Sequence, residues 1–293
     1  MVVKQLLPLF DRYAPDTAVA LHAQLTELAG KSVANNDRLS PQDSRPSNSA
    51  GDVIEKMENE LDHAKTSQER DEILAAAAVR LAIKSDVRAR DVANKIDDSE
   101  RRGKVRQYVD FEFIQLAIRK KDAPETARLA KIGQITHSQR AWAYTQAARL
   151  LRDSERESVL DFLGEALAEV QRIEAPLDRA VLLVGVARRL LTADRERAWQ
   201  AMSEAVKAAN QADSFTGENQ ITYSLGSRNL IKFTQIGSEE SGLGGTFRLL
   251  AKDDLSRSVD LARGFKNDAP RAAATLAIAG SLLEKQGTNN STN

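Results

Sequence analysis

Arg179-Ala-Val-Leu-Leu-Val-Gly-Val-Ala-Arg-Arg-Leu-Leu191 is the stretch that decides the class of this protein. Leu183, Ala187, Leu190 and Leu191 follow Arg179 at three- and four-residue steps, the spacing of one helix face. Residues 180–187 are apolar almost all round, and such a helix suits the middle of a stack, with neighbours on both sides. Its small residues let those neighbours approach closely.

The same pattern recurs outward in both directions. Arg70, Arg101, Arg140, Arg179 and Arg271 each stand in the first turn of a helical stretch. Polar or proline-containing segments that can cap a helix precede them, among them Asp97-Asp98-Ser99-Glu100, Thr136-His137-Ser138-Gln139 and Asp268-Ala269-Pro270. After Arg140 come Ala143, Ala147, Leu150 and Leu151, spaced much as they are after Arg179. The arginines are 31, 39, 39 and 92 residues apart, and the last gap fits one degenerate unit carrying an insertion. A second series, Asp86, Asp122, Asp153, Asp194 and Asp254, introduces shorter amphipathic stretches. Each unit therefore reads as helix, tight turn, helix. One pair cannot bury so wide an apolar face, whereas neighbours stacked on both sides can. The competing arrangement is a compact bundle without repeat symmetry. The expected fold class is all-α, with antiparallel helix-pair repeats stacked as an α-solenoid and one irregular insertion.

The organisation that follows is an N-terminal helix pair at 1–30, a Ser-, Asn-, Asp- and Pro-rich flexible linker at 31–51, and helical repeats at 52–212. An irregular insertion spans 213–245, a C-terminal repeat 246–285 and a disordered tail 286–293. Within the insertion, Ser214-Phe-Thr-Gly-Glu-Asn219 breaks the helical pattern, and Ile221, Tyr223 and Leu225 alternate with polar residues. A short hairpin or an ordered loop accounts for that alternation.

Lys plus Arg and Asp plus Glu number 42 each, so no global field draws in nucleic acid or anionic lipid. Locally, residues 101–131 hold nine basic residues against four acidic ones. Arg101, Arg102, Lys104, Arg119, Lys120 and Lys121 are the nucleic-acid contacts that a basic face there would use. With no cysteine, thiol catalysis, disulfides and Cys-based zinc sites are excluded. No apolar run approaches the ~20 residues needed to span a bilayer, and the first residues lack a signal-peptide pattern. If this start is the true one, a soluble, cytoplasmic protein is expected.

His22, His63 and His137 fall in separate segments, with no HExxH and no Ser/His/Asp order. His137, in a turn before a helix, is expected to cap it. Gly242-Leu-Gly-Gly245 precedes a helix but lacks the strand and the Lys-Ser/Thr of a phosphate loop. Asp110 with Glu112, and Glu239-Glu240, read as solvated charge. No catalytic, cofactor or metal residue is therefore assigned. Phe111, Phe113, Trp142, Tyr144 and Trp199 read as packing residues. Phe215, Tyr223, Arg228 and Phe233 in the insertion are the expected partner contacts, since loops on a rigid scaffold carry function.

Asp268-Ala-Pro-Arg-Ala-Ala-Ala-Thr-Leu-Ala277, an arginine near a helix start after an Asp-containing turn, resembles HEAT repeats. The ~39-residue period is also nearer their length than the 34 of tetratricopeptide repeats, whose Trp, Leu-Gly, Tyr and Pro pattern is missing. The resemblance covers about 52–285 and is one of architecture. It implies a surface for a protein partner, so the expected function is a non-catalytic interaction scaffold.

Overall fold

The computed structural model describes residues 49–152, 155–227, 230–236 and 242–290; for 223–227, 230–236 and 285–290 it describes the backbone alone. The chain divides into units 1–48 and 49–293, and only the second is considered below. The helix pair expected at 1–30 and nearly all of the linker expected at 31–51 lie outside the described residues.

Twelve helices and two strands follow in order among the described residues. They are α1 (Ala50–His63), α2 (Ser67–Ile83), α3 (Arg88–Asn94), α4 (Ser99–Arg119), α5 (Ala123–Ile132), α6 (His137–Leu150) and α7 (Arg156–Val170). Then come α8 (Pro176–Ala193), α9 (Arg195–Ala209), β1 (Ile221–Ser227), β2 (Leu230–Ile236), α10 (Leu243–Asp253), α11 (Leu255–Arg263) and α12 (Asp268–Asn290). The protein is all-α in class. At the start, Ser49 and Asp52 form a reciprocal capping box that begins α1 two residues before the expected 52. At the other end, α12 continues five residues beyond the expected 285, across Gly287, because each added residue gains a backbone bond once a helix exists.

The aspartate series acts locally as its positions imply. Asp122, Asp194 and Asp254 are the N-caps of α5, α9 and α11, accepting from the backbone N–H of Glu125, Arg197 and Arg257. Asp86 accepts from the Arg88 N–H at 2.9 Å, and Asp153 lies outside the described residues.

Part of the arginine series has a more specific role, which Arg102 takes in place of Arg101 and which Arg70, exposed in α2, does not share. Arg102, Arg140, Arg179 and Arg271 are each the fourth residue of their helix. Each turns back to a carbonyl beyond the end of the preceding helix. Arg102 Nη1 donates to Ile96 O at 2.7 Å, and Arg140 Nη2 to Gly133 O at 3.1 Å. Arg179 Nε donates to Ile173 O at 3.0 Å, and Arg271 Nη1 to Phe265 O at 3.4 Å. Arg102 rather than Arg101 holds this position in α4, because Asp98 rather than Asp97 caps the helix. A guanidinium suits the negative end of a helix and satisfies carbonyls left without an intrahelical donor.

The helices α2, α4, α6, α8, α10 and α12 each pack on the next member of that series. Of the intervening helices, α3, α5, α7 and α11 each pack on the helices before and after them, and α9 packs on α8. Alanines make close packing feasible: Ala78, Ala93, Ala141, Ala147, Ala166, Ala180 and Ala187 are fully buried. Phe111, Ile114, Leu163, Leu190, Met202, Phe247 and Phe265 fill the spaces between. Burial of each such large side chain contributes about 1.5–3 kcal/mol. One apolar cluster runs from Val53 to Ile278.

The series is not interrupted where regularity fails in the sequence, since α8 packs directly on α10. β1 and β2 pair antiparallel from Ile221 opposite Ile236 to Ser227 opposite Leu230. Residues 228 and 229, which join them, lie outside the described residues.

Candidate functional site

The excursion between α9 and α10 leaves and re-enters the helical stack at one place. Leu243 N–H donates to Gly217 O at 3.1 Å, so the two ends of the segment meet. Gly217 has φ +91, and a Cβ there would stand 2.7 Å from Leu243 Cδ2. Only glycine fits both the backbone and the space. Beside this closure, Phe215 is buried and stacks on Phe265 with ring centroids 6.3 Å apart. Phe215 is therefore an anchor of the core rather than the exposed contact residue expected. Ile221 is also buried, and β1 continues from it to reach α4. A seven-residue strand rises roughly 20 Å, a span of about two helix widths. Tyr223 stands opposite Thr234 and Phe233 opposite Ser224 in the strand register, whereas Arg228 is outside the described residues. Glu239 and Glu240 are outside them as well. Gly245, in the first turn of α10, leaves room for the Arg188 guanidinium, whose Nη1 would lie 2.6 Å from a Cβ.

The six basic residues do not converge. Arg101, Arg102 and Lys104 lie in the first turns of α4, whereas Arg119, Lys120 and Lys121 lie at its end, about 27 Å further along the axis. The first group is largely engaged. Arg102 holds Ile96 O, Lys104 Nζ is 2.7 Å from Glu100, and Arg101 donates to Gln68 O at 3.4 Å. Arg119, Lys120 and Lys121 are exposed.

Polar groups whose role the sequence does not reveal are paired within the fold. Asp110 is 2% exposed; it accepts from Arg90 Nε at 2.6 Å and from the Gln134 N–H at 2.8 Å. Position 110 faces the seam between α3 and the start of α6, which helical spacing alone does not reveal. Glu112 accepts from the Tyr108 hydroxyl at 3.0 Å, and burial, with Glu112 alongside, holds the Tyr108 phenol well above its ordinary range. His137 is not the cap of α6, a role taken by Thr136. Its Nδ1 lies 2.6 Å from Glu169 Oε2, and Arg140 and Arg172 reach the same buried carboxylate. Phe111, Phe113, Tyr144 and Trp199 lie in the core, with Trp142 against Phe111 at 5.3 Å.

A second cluster joins α9 to the helices beyond the excursion. Arg257 lies over the Trp199 ring at 4.6 Å and holds Glu196 with two bonds of 3.0 and 3.1 Å, while Trp199 Nε1 donates to Asp253 at 3.1 Å. That arrangement fastens α11 to α9.

An open groove of about 970 Å³ lies between α1 and α2, lined by Glu55, Lys56, His63, Glu69, Glu72 and Arg80 among others. Its chemistry is largely spent on the helices themselves. The Glu69 carboxylate accepts from the Lys65 and Thr66 N–H groups, and His63 Nδ1 meets Asn59 O. Among the described residues, no cluster of three or more His, Cys, Asp or Glu could hold a metal ion. No described helix is long and apolar enough to cross a membrane.

What these features define is an all-α protein with an unbroken series of packed helices and one excursion closed at its base. Comparison with protein-family models, with curated proteins and with solved structures finds no match.

Proposed function

We propose that the chain is a non-catalytic interaction scaffold, an α-solenoid-type stack of helix pairs that presents the 213–245 excursion to a protein partner. The observation that carries this reading is the attachment of the excursion: it closes at Gly217 and Leu243 while α8 packs on α10 beneath it. Beyond its buried anchors Phe215 and Ile221, a segment that the α8–α10 contact does not need is free to serve recognition, and rigid scaffolds place function on such segments.

In this reading Tyr223, Arg228 and Phe233 contact the partner and Phe215 anchors the excursion. The test compares the full chain with a variant in which residues 219–241 are replaced by a short Gly-Ser link, both as bait in quantitative affinity enrichment. A partner enriched at least about tenfold by the full chain and lost with the shortened one is the expected result. Equal enrichment by both would remove the excursion from recognition. No enrichment by either would overturn the scaffold reading.

A further inference from the structure

The last helix of the series carries a second apolar face. One side of α12 packs into the protein through Ala274, Ala277, Ile278 and Ser281. On the opposite side, Leu276 is 73% and Leu283 68% exposed, and Ala272 and Ala279 are exposed with them. At helical spacing these four residues fall within an arc of about 60°. Steps of four, three and four residues make them a heptad-spaced stripe about three turns long, with alanine and leucine alternating.

That alternation says what fits. Read from either end, the stripe has the same spacing, with large and small residues exchanged. Two copies of α12 laid antiparallel, with the two-fold axis midway between Leu276 and Ala279, bring every leucine opposite an alanine. Ala272 meets Leu283 of a second copy, and Leu276 meets Ala279. A parallel pair would instead stack leucine on leucine and leave a gap between alanines. Self-complementarity about a two-fold axis is what an isologous contact requires. The flanks agree. Arg248 and Lys252 of α10 pair with Glu284 on one flank, and Leu282, 39% exposed, occupies the open one. In the antiparallel register Leu282 lies beneath the aliphatic stem of the second copy's Arg271.

We propose that this face of α12 is a homodimer interface, two α12 helices packing antiparallel through Ala272, Leu276, Ala279 and Leu283. It does not depend on the scaffold reading. So short a seam makes a weak dimer, with Kd on the order of micromolar.

Light scattering of the full chain at tens of micromolar is expected to give twice the 32.2 kDa chain mass. Leu276→Glu places a charge in the seam and is expected to weaken dimerisation about tenfold or more, with an unchanged circular dichroism spectrum. The register is tested separately by thiols, since the chain has no cysteine. Ala272→Cys and Leu283→Cys chains, mixed under mild oxidation, are expected to join to each other. Ala272→Cys alone is expected not to join to itself, because its copies lie about 17 Å apart along the axis. A monomer at every concentration, a dimer indifferent to Leu276→Glu, or ready 272–272 linkage overturns the proposal.

Discussion

At the scale of single residues, this protein uses charge to finish helices. Asp71 shows the principle in a buried setting. Its carboxylate, 3% exposed, accepts from the N–H groups of Asp97 and Asp98 at 2.8 and 2.9 Å, just before α4. Asp71→Ala leaves two donors without partners and is expected to cost about 2–3 kcal/mol in denaturant unfolding. Asp71→Asn should recover only part of this, since its amide nitrogen faces a donor. Asp178 has the opposite balance. Burial raises its pKa above the ordinary 3.8, and the Ser138 hydroxyl only partly offsets that. A carboxylate so held costs stability where it is ionised. The cost is absent below the ordinary value, enters as pH rises through the folded one, and is complete at neutrality. Asp178→Asn is therefore expected to melt no lower than the wild type at pH 7, with any gain vanishing near pH 4. A loss confined to pH 7 would contradict this.

At the scale of elements, the excursion is the part most easily separated from the rest. Its ends meet through Leu243 N–H and Gly217 O, and α8 and α10 are already neighbours. Replacing residues 219–241 by a short link should thus move the melting temperature by only a few degrees; a loss of cooperative unfolding would show that the strands hold the stack together. Gly217→Ala is a different matter, because it forces a Cβ into Leu243 at a φ that alanine adopts with strain. It is expected to cost about 2 kcal/mol or more, seen as a lower denaturant midpoint with an unchanged slope. The Glu196–Arg257 pair joins α9 to α11 at the surface, where both side chains are half exposed. A double-mutant cycle there should give a coupling below about 1 kcal/mol.

At the scale of the whole second unit, each helix of the α2–α12 series is supported by its neighbours in that series. The inner helices α6 and α8 have such neighbours on both sides, whereas α1 packs chiefly on α2. Stability in such an arrangement is close to a sum of nearest-neighbour terms, so opening begins at the ends. Hydrogen exchange is expected to be slowest in α6 and α8 and faster in α1. Uniform protection throughout would indicate a single cooperative core instead.

Sequence alone determined the helical class, several of the helix starts, and the place where regularity fails. These follow from local chemistry: the period of Leu183, Ala187 and Leu190, the caps at Asp122, Asp194 and Asp254, and the helix-breaking run around Gly217. The recurring arginine was also visible, though its purpose was not, because the carbonyls that it holds belong to the preceding turn. Tertiary structure decided which polar and aromatic residues are spent. Phe215 looks like a loop aromatic until Phe265, fifty residues on, is found stacked against it. Asp110 looks like surface charge, and His137 like a helix cap, until Arg90 and Glu169 arrive from other helices. The exposed stripe of α12 was likewise hidden. Spacing shows that Leu276 and Leu283 share a face, but only packing shows that the opposite face, through Ala274 and Ile278, is the one buried.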